Sequence, residues 1–293
     1  MRWMPRAGSI RCWLPSPMLR VALIQQTAER EFAPNLAFLE AQICDAAAQG
    51  ARFILTPENS AMLEPDREAH RAKARAEEAH PLPPLFSRLA QETGAYLLAG
   101  SIAVTVAGDK LANRSLLFAP DGSIAARYDK IHLFDVDLAN GESYRESALI
   151  APGAAAVTGK TPLANLGLSV CYDLRFAALF HALAQAGAEI ITIPSAFTVP
   201  TGEAHWHVLL RARAIETGCF ILAPAQTGTH AESRRTYGHS LIVSPWGEII
   251  AEGGTAPGLV IADLNLSEVA KARQRIPSLT HDRPFTPPSF LSG

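Results

Sequence analysis

The sequence predicts a single α/β domain in which two β-sheets pack face to face with helices on their outer sides. Some predicted strands follow one another directly, around the turn Pro120-Asp121-Gly122 and again after His239, whereas others are separated by helices. This mixture is typical of mixed sheets and unlike a strict βα repeat. No internal repeat, low-complexity linker or change in composition follows Leu19, so one domain is the simplest interpretation.

The composition of the chain indicates a globular protein with a large core, since 48% of its 293 residues are hydrophobic and 18% are charged. A net charge of −2 gives no excess of basic residues, so we expect neither nucleic acid nor a membrane as a partner. No apolar run is long enough to span a bilayer. The four cysteines are far apart, which predicts a reducing, cytoplasmic environment without structural zinc or disulfides.

The N-terminal stretch differs from the rest of the chain. Residues 1–17 contain three arginines and two tryptophans but no acidic residue, and a regular strand pattern begins only at Leu19. They lack both the apolar block of a secretory signal and a clean amphipathic helix. We therefore expect a non-structural extension over residues 1–17, one domain over 18–285 and a tail over 286–293. A protein that begins at Met18 should be as active and as stable as the full chain.

A carboxylate follows the first pair of core strands. The apolar run from Arg52 to Thr56 is predicted to be a buried strand that ends at Pro57, with Glu58 directly beyond it. In α/β proteins the ends of buried strands form the rim of the sheet, where ligands are bound. The alternative is a solvated glutamate on a loop.

A lysine occupies a similar position after the predicted hairpin. The second hairpin strand runs to Tyr128 and is followed by Asp129 and Lys130. Lys130 therefore lies at the end of an apolar strand, as Glu58 does. The alternative is an ordinary surface lysine.

A cysteine falls where a strand gives way to a helix. Gly167 to Val170 is predicted to be a buried strand and Ala177 to Ala186 a helix, with Cys171 between them. We expect the positive end of this helix to favour the thiolate of Cys171 and its free N–H groups to bind an oxyanion. The alternative is a buried cysteine that serves as a small hydrophobic residue.

Two segments without hydrophobic periodicity are predicted to be loops. The first, Asp135 to Pro152, carries Glu142 and Glu146, and a long loop in a compact domain is more often functional than not. The second is the polar stretch from Gln226 to Tyr237. Between the two loops, Glu203 to Thr217 is predicted to be an amphipathic helix.

The three strand ends together provide the groups that acyl transfer needs. In a pocket that excludes water, Cys171 is a nucleophile, Glu58 can accept its proton, and Lys130 can neutralise the oxygen of a tetrahedral adduct. Their convergence is stronger evidence than any one of them alone.

Three sequence blocks resemble the catalytic blocks of the nitrilase superfamily, the carbon–nitrogen hydrolases. They are Thr-Pro-Glu-Asn at Glu58, Tyr-Asp-Lys-Ile-His-Leu-Phe-Asp at Lys130 and Val-Cys-Tyr-Asp-Leu-Arg-Phe at Cys171. The resemblance extends over nearly all of residues 19–284. It implies a four-layer α-β-β-α sandwich, a homodimer or higher homo-oligomer that pairs through its helices, and no metal or organic cofactor. Glu146, in Arg-Glu-Ser, matches the second glutamate that these enzymes place beside the catalytic lysine.

The resemblance also implies a mechanism. Cys171 attacks an amide carbonyl while Glu58 accepts the thiol proton, and Lys130 and the backbone N–H of Tyr172 hold the oxyanion. Glu58 then protonates the departing ammonia and activates the water that hydrolyses the thioester. Glu146 orients Lys130 and keeps it charged.

The second half of the chain resembles the Nit branch of the superfamily. The matching stretches are Ala184 to Glu189, Pro194 to Phe197, Thr201 to Trp206 and Leu210 to Thr217. The resemblance implies an amidase that cleaves the distal amide of a small 2-oxo acid, such as deaminated glutathione. Alternatives are 2-oxoglutaramate or another aliphatic amide as substrate, an N-acyltransferase of the same superfamily, and a non-catalytic binding protein.

A 2-oxo acid needs a cation to bind its carboxylate. Arg175 is our candidate, because it follows Cys171 by one helical turn, and Phe197 and Thr201 are expected to line the same cavity. The alternative for Arg175 is an ion pair with Asp173 or another acid that supports the turn.

The histidines are not expected to bind a metal. His205 and His207 lie two residues apart on a predicted helix, so their side chains point to different faces and cannot chelate one ion. His132 is expected to be a hydrogen-bonding group next to the site rather than an acid or base.

Overall fold

The computed structural model describes residues 18–138 and 141–286 of the protein. The predicted extension, residues 1–17, and residues 287–293 of the predicted tail lie outside the described residues. The domain boundaries therefore stay a prediction.

Sixteen strands and six α-helices are formed by the described residues. The strands are β1 (Met18–Gln25), β2 (Phe53–Leu55), β3 (Tyr96–Thr105), β4 (Leu111–Phe118), β5 (Ile124–Asp129), β6 (Asp135–Asp137), β7 (Ser143–Arg145), β8 (Val157–Lys160), β9 (Asn165–Leu168), β10 (Ile190–Thr192), β11 (Phe220–Ala223), β12 (Thr227–His230), β13 (Arg234–Tyr237), β14 (Leu241–Val243), β15 (Ile249–Glu252) and β16 (Gly258–Asn265). The helices are α1 (Phe32–Ala48), α2 (Arg67–Lys73), α3 (Leu82–Thr93), α4 (Ala177–Gln185), α5 (Val199–Thr217) and α6 (Ser267–Arg275).

The first large sheet has the strand order β16-β1-β2-β3-β4-β5. Alternate residues of β1 point to opposite faces, as the period of a strand requires. Ala22 and Ile24 face outwards and belong to the same buried cluster as Leu39 of α1 and Phe86 of α3. Val21 and its alternating neighbours belong to the central cluster instead. The apolar pattern that predicts this strand is therefore explained by burial on both faces.

The second large sheet has the strand order β15-β14-β11-β10-β9-β8. Its central strand β10 runs parallel to both β9 and β11. Phe180 of α4 and Trp206 of α5 cover its outer side and share a buried cluster with Leu55 and Leu98 of the first sheet. The predicted four-layer α-β-β-α sandwich in a single domain is confirmed. Among the helices of the described residues, none combines the length and the hydropathy that a membrane span requires.

The predicted loop over residues 135–152 is partly wrong. β6 and β7 pair antiparallel, with Asp135 opposite Arg145 and Asp137 opposite Ser143. A 3₁₀ turn then begins at Glu146. Strands of three residues with mostly exposed side chains leave no hydrophobic period for the sequence to reveal.

The predicted loop over residues 226–237 is also wrong, because β12 and β13 form a hairpin there. The backbone at Ala231 and Glu232, between the two strands, has positive φ values of 47° and 64°. Neither residue is the glycine or asparagine that normally marks such a turn. The usual hairpin signal is therefore absent.

Helix α5 begins at Val199, four residues before the predicted start at Glu203. Pro200 lies in its first turn, where a helix does not need the missing backbone N–H. Pro200 is therefore compatible with a helix that begins earlier than predicted.

Candidate active site

Glu58, Lys130 and Cys171 meet where the two large sheets face each other. Glu58 follows β2 and Lys130 directly follows β5 in the first sheet, whereas Cys171 follows β9 in the second sheet. All three side chains are buried, with 3%, 2% and 7% of their surfaces exposed. Groups that are 72 and 41 residues apart in the chain thus share one water-poor site.

Lys130 is held between two carboxylates. Its Nζ lies 2.9 Å from Oε1 of Glu58 and 3.0 and 2.9 Å from the two carboxylate oxygens of Glu146. The backbone N–H of Phe134 donates to Glu146 at 2.7 Å and fixes that carboxylate. Glu146 therefore lies where the resemblance puts it, beside the lysine.

The electrostatic environment keeps both Glu58 and Lys130 charged. Burial by itself would raise the pKa of Glu58, but the charge of Lys130 and hydrogen bonds from Cys171 and Lys130 lower it below the ordinary value. Burial would likewise lower the pKa of Lys130, but the charges of Glu146 and Glu58 raise it well above the ordinary value. Glu58 is thus ready to accept a proton.

Cys171 is held in an unusual backbone conformation, with a φ of 51°. Its N–H donates to the carbonyl oxygen of Pro194 at 3.0 Å, and its sulfur contacts Glu58 and the backbone of Ala196. A positive φ costs energy in a residue other than glycine and is typical of functional turns. The turn points the thiol at the base.

The expectation that a helix end favours the thiolate is wrong. Helix α4 begins only at Ala177, and a 3₁₀ turn over Cys171–Arg175 lies between it and the thiol. Burial raises the pKa of Cys171 far above the ordinary value, and the negative charge of Glu58 raises it further. The resting pair is therefore a neutral thiol beside a carboxylate, so attack needs transfer of the proton to Glu58.

A donor for an oxyanion is available next to the sulfur. The backbone N–H of Tyr172 donates no hydrogen bond to any of the described residues. It follows Cys171 directly in the 3₁₀ turn. Together with the ammonium of Lys130 it can hold an oxygen that becomes negative.

Asn113 of β4 is a member of the site that the sequence reasoning missed. Its Nδ2 donates to Oε1 of Glu58 at 3.0 Å and to Oε1 of Glu146 at 3.2 Å. Its Oδ1 is buried without a partner among the described residues. The available signal was an amide side chain in a strand whose residues are mostly buried and apolar, because a buried polar group needs partners.

Asp173 braces the turn that carries Cys171. It accepts hydrogen bonds from Tyr128 Oη at 2.7 Å, from the backbone N–H of Val170 at 2.8 Å and from the backbone N–H of His132 at 3.0 Å. Nδ1 of His132 lies 2.7 Å from the same carboxylate, so this histidine has the hydrogen-bonding position expected of it. The ion pair between Arg175 and Asp173 is not formed within the described residues.

A cavity of about 480 Å³ opens above the sulfur. Arg175 contributes to its wall, with Nη1 3.3 Å from Nδ1 of His205. Its guanidinium lies 5.5 Å from the ring centre of Phe197 and 5.7 Å from that of Tyr172. The cavity is lined by every residue that we assigned to catalysis or substrate binding, namely Glu58, Lys130, Glu146, Cys171, Tyr172, Arg175, Phe197 and Thr201.

Two further wall residues, His70 and Arg234, were not predicted. Nε2 of His70 and Nε of Arg234 are buried and unpartnered among the described residues, and both side chains line the cavity. His70 lies in α2, and Arg234 lies in the hairpin that was predicted to be a loop. Neither segment carries a hydrophobic pattern from which its position beside Cys171 could be predicted.

A separate group of side chains could hold a metal ion. His207 does not share a partner with His205; its Nε2 lies 3.1 Å from Oε1 of Glu252, and Nδ1 of His239 lies 2.6 Å from the same oxygen. The three ligand atoms lie within 4.8 Å of one another, and two histidines with one glutamate are a ligand set that zinc accepts. Their mutual hydrogen bonds also account for the arrangement, and none of the three lines the catalytic cavity.

The chain belongs to the carbon-nitrogen hydrolase family, which it matches over residues 20–274. The family defines the class of protein: a hydrolase that acts on carbon–nitrogen bonds other than peptide bonds, in amides. The fold and the buried glutamate, lysine and cysteine described above agree with this class.

Several amidases of this family are among the proteins that the chain resembles. The chain is 42% identical to the deaminated glutathione amidase of Synechocystis sp. over 269 residues, which cover 90% of this chain and 98% of that protein. It is 37% identical to the human omega-amidase NIT2 over 270 residues, covering 90% and 95% of the two chains. The crystal structure of the C. elegans NitFhit protein superimposes with a TM-score of 0.85 and 31% identity, over 92% of this chain and 66% of that one.

Proposed function

We propose that the protein hydrolyses the distal amide of a small 2-oxo acid, such as deaminated glutathione, through a thioester on Cys171. The observation that carries this proposal is the buried network in which Cys171 and Lys130 both contact Glu58. A nucleophile, a base and a cation within one dry site are what acyl transfer needs. The similarity to deaminated glutathione amidases supports the substrate class.

The first half of the reaction forms the thioester. The proton of Cys171 passes to Glu58 as the sulfur attacks the carbonyl carbon, and the carbonyl oxygen becomes negative between Lys130 and the N–H of Tyr172. Glu58 then gives the proton to the amide nitrogen, the carbon–nitrogen bond breaks, and the acyl group stays on Cys171. Glu146 holds Lys130 in place and charged throughout.

The second half returns the enzyme to its starting state. Glu58 takes a proton from a water molecule, which attacks the thioester carbon, and the carboxylic acid leaves as Cys171 regains its proton.

The leaving group depends on the substrate. A primary amide such as 2-oxoglutaramate releases ammonia, as expected from the sequence. The amide nitrogen of deaminated glutathione is substituted, so its hydrolysis releases an amine, a dipeptide, instead of ammonia.

The substrate carboxylate is the reason for proposing Arg175 as a binding residue. Its guanidinium lines the cavity, and within the described residues no carboxylate forms a salt bridge with it. Phe197 and Thr201 are buried beside it and would contact the short carbon chain of the 2-oxo acid.

The test uses the purified full chain with deaminated glutathione and with 2-oxoglutaramate. We expect release of the free amine from the first and ammonia from the second, and intact-mass spectrometry after rapid acid quench should detect an acyl adduct. Cys171→Ala should abolish both products and the adduct, whereas the exposed Cys44→Ala should behave as wild type. Absence of both products, with Cys171→Ala indistinguishable from wild type, would overturn the proposal.

The same experiment separates the alternatives. Faster turnover of 2-oxoglutaramate would favour an omega-amidase, to which the similarity to human NIT2 also points. Transfer of the acyl group to an added amine in place of water would indicate an N-acyltransferase. Binding of either substrate without product would indicate a non-catalytic binding protein.

We further propose a cytoplasmic homodimer or higher homo-oligomer. Support comes from large hydrophobic side chains that are exposed on and near α5, Val208 at 68%, Ile215 at 54% and Ile276 at 56%. Cys44, Cys171 and Cys219 are unpaired, as in a reducing compartment. Light scattering after gel filtration should give at least twice the monomer mass, and Val208→Glu should reduce the measured mass. Fractionation of the source cells tests the localisation and should recover the protein with the cytosol.

A further inference from the structure

The catalytic cavity collects polar atoms that lack partners. Four buried side-chain nitrogen or oxygen atoms of the described residues make no hydrogen bond, and three belong to residues that line this cavity. They are Oδ1 of Asn113, Nε2 of His70 and Nε of Arg234. Buried polar atoms are nearly always paired in native proteins. Their concentration in one cavity indicates that a bound molecule completes their hydrogen bonds.

Arg234 is held in place, but its buried Nε–H has no partner among the described residues. Its Nη2 donates to the carbonyl oxygen of Ala196 at 3.1 Å, and its guanidinium lies 5.6 Å from the ring centre of Tyr144. Within the described residues, no carboxylate forms a salt bridge with it. The positive charge and the buried Nε–H are therefore available to an anionic oxygen.

His70 offers the complementary group, an acceptor. Burial lowers the pKa of His70, and the charge of Arg234 contributes in the same direction, so the ring is neutral at neutral pH. The ring is also hydrogen-bonded to the backbone of Glu64. With that bond made by Nδ1, the unpartnered Nε2 carries a lone pair.

Arg234 and His70 line the same cavity as Glu58, and the charge of Arg234 acts on Glu58. Burial raises the pKa of Glu58, and the charge of Lys130 is the largest effect that lowers it. The charge of Arg234 also lowers the pKa of Glu58, by a smaller amount. Glu58 is the group that protonates the leaving nitrogen in the proposed mechanism. Arg175, in contrast, lies against the rings of Tyr172 and Phe197. The two guanidinium groups thus have different surroundings, which favours a different part of the substrate for each.

We propose that Arg234 and His70 form a binding site for the leaving group, which takes a peptide-like amine fragment carrying both an N–H and a carboxylate. This inference rests on the proposed function and adds the specificity for the amide substituent. Arg234 donates to the carboxylate or carbonyl oxygen, and Nε2 of His70 accepts from the N–H. A primary amide leaves both groups unpaired, so the site favours substituted amides.

The test is the ratio of kcat/KM for deaminated glutathione to kcat/KM for 2-oxoglutaramate. We expect Arg234→Gln to lower this ratio by about 10- to 100-fold, the usual effect of losing a charge-assisted hydrogen bond. Arg234→Lys keeps the charge but lacks the Nε–H and should lower it by a smaller factor. His70→Phe should lower it by about tenfold. Arg175→Gln, the matched control in the same cavity, should impair both substrates and leave the ratio close to that of wild type.

The outcomes separate this inference from the proposed function. Wild-type turnover of both substrates with an unchanged ratio in Arg234→Gln would overturn the leaving-group site and leave the function standing. An equal loss of kcat on both substrates would show that Arg234 acts only through Ala196 on the position of Cys171, and would also overturn it. If wild type hydrolyses neither substrate, the leaving dipeptide itself is titrated by calorimetry. Binding to wild type that is at least tenfold weaker in Arg234→Gln supports the site, and equal or absent binding overturns it.

Discussion

At the scale of the residue, the site is governed by how burial acts on each charge. Lys130 lies between Glu58 and Glu146, so one positive charge is shared by two negative ones in a dry environment. Burial of an unpaired charge is costly, and each member of this group therefore depends on the others. The same burial keeps the thiol of Cys171 protonated. In the proposed mechanism, the thiol of Cys171 is therefore activated only when Glu58 accepts its proton.

The first residue-scale prediction concerns the base. Glu58→Gln keeps the shape of the side chain but cannot accept the thiol proton, so we expect kcat/KM to fall by about 10²–10⁴-fold. Steady-state amide hydrolysis measures this loss, and intact-mass spectrometry should show no acyl adduct. The exposed Glu78→Gln is the control and should match wild type. A Glu58→Gln protein within about threefold of wild type would contradict the role of Glu58 as base.

The second residue-scale prediction concerns pH. The pKa of Glu58 lies below its ordinary value of 4.5, because Lys130 and the hydrogen bonds outweigh burial. Wild-type kcat/KM should therefore fall only below about pH 4.5, where Glu58 becomes protonated. Asn113→Asp adds a negative charge 3.0 Å from Glu58, which raises its pKa and should move this acid limb to higher pH. The pH profile of kcat/KM for both proteins measures the shift.

Two comparisons test whether the added charge causes this shift. Asn113→Leu removes the hydrogen bonds without adding a charge, so its acid limb should move less than that of Asn113→Asp. An acid limb at the same pH in all three proteins would show that Asn113 does not influence the base.

At the scale of the element, Gly100 of β3 lets the two catalytic strand ends approach. A methyl group at this position would lie 2.0 Å from the carbonyl oxygen of Thr56, 2.5 Å from that of Pro57 and 2.6 Å from Cβ of Pro194. The first two residues precede Glu58, and the carbonyl oxygen of Pro194 holds Cys171. The absence of a side chain at Gly100 therefore determines how closely the segments that carry Glu58 and Cys171 approach each other.

We accordingly expect Gly100→Ala to destabilise the protein by about 3 kcal/mol, because backbone atoms cannot yield to the added methyl group. It should also lower kcat by moving Glu58 away from the sulfur. Denaturant unfolding and steady-state kinetics measure the two effects. Gly108→Ala is the control, since its Cβ meets nothing within 4 Å and only its positive φ of 81° costs about 1–2 kcal/mol. Equal stability losses in the two variants would contradict the contact at Gly100.

The hairpin of β12 and β13 is anchored by a buried histidine. Nδ1–H of His230 donates to the carbonyl oxygen of Ala28 at 2.9 Å, and its Nε2 accepts from the hydroxyl of Thr236 at 2.7 Å. These bonds select the neutral ring, and burial lowers the pKa of His230 from 6.5 to about 4. The hairpin that carries Arg234 is thus connected to the first sheet.

This anchor predicts acid sensitivity. Between pH 6.5 and 4 the unfolded chain binds a proton at His230 that the folded protein does not, so stability falls as the pH falls through this range. The loss from this residue is on the order of 2 kcal/mol at pH 5. Urea unfolding at pH 7 and at pH 5 measures it, and His230→Gln should lose that much less than wild type. The exposed His281→Gln is the control, and identical losses in His230→Gln and wild type would contradict the prediction.

At the scale of the whole molecule, the active site exists only because two sheets pack together. The first sheet supplies Glu58, Lys130 and Asn113, and the second supplies Cys171. The hairpins β6-β7 and β12-β13 then add Tyr144 and Arg234 to the cavity wall. Neither sheet alone holds a nucleophile together with its base, so activity should be lost with global unfolding.

The whole-molecule prediction concerns the extent of the domain. β1 begins at Met18 and the family match begins at residue 20, so we expect residues 18–293 to retain the melting temperature and the kcat/KM of the full chain. Thermal unfolding and amidase assays of both proteins check this. Removal of residues 1–25 is the contrasting control, because it deletes β1, which pairs with β16 and β2 in the first sheet. A lower melting temperature or activity for residues 18–293 would show that the N-terminal stretch contributes to the fold.

The sequence by itself was sufficient to predict the layers of the fold and the convergence of Glu58, Lys130 and Cys171. Strands and helices leave local periodic patterns, and Glu58, Lys130 and Cys171 each lie in a short distinctive block directly after a core strand. The polar hairpins left no such pattern, since their strands are only three or four residues long and consist mostly of polar residues.

Only the tertiary structure decided the charge state of the nucleophile and the composition of the cavity wall. The helix predicted after Cys171 suggested a thiolate. In the folded protein, burial and the nearby carboxylate of Glu58 make the thiol the stable form. Asn113, His70 and Arg234 became recognisable as site residues only through their distances and unpartnered atoms. Desolvation and long-range hydrogen bonds depend on which parts of the chain come together, and a local stretch of sequence does not contain that information.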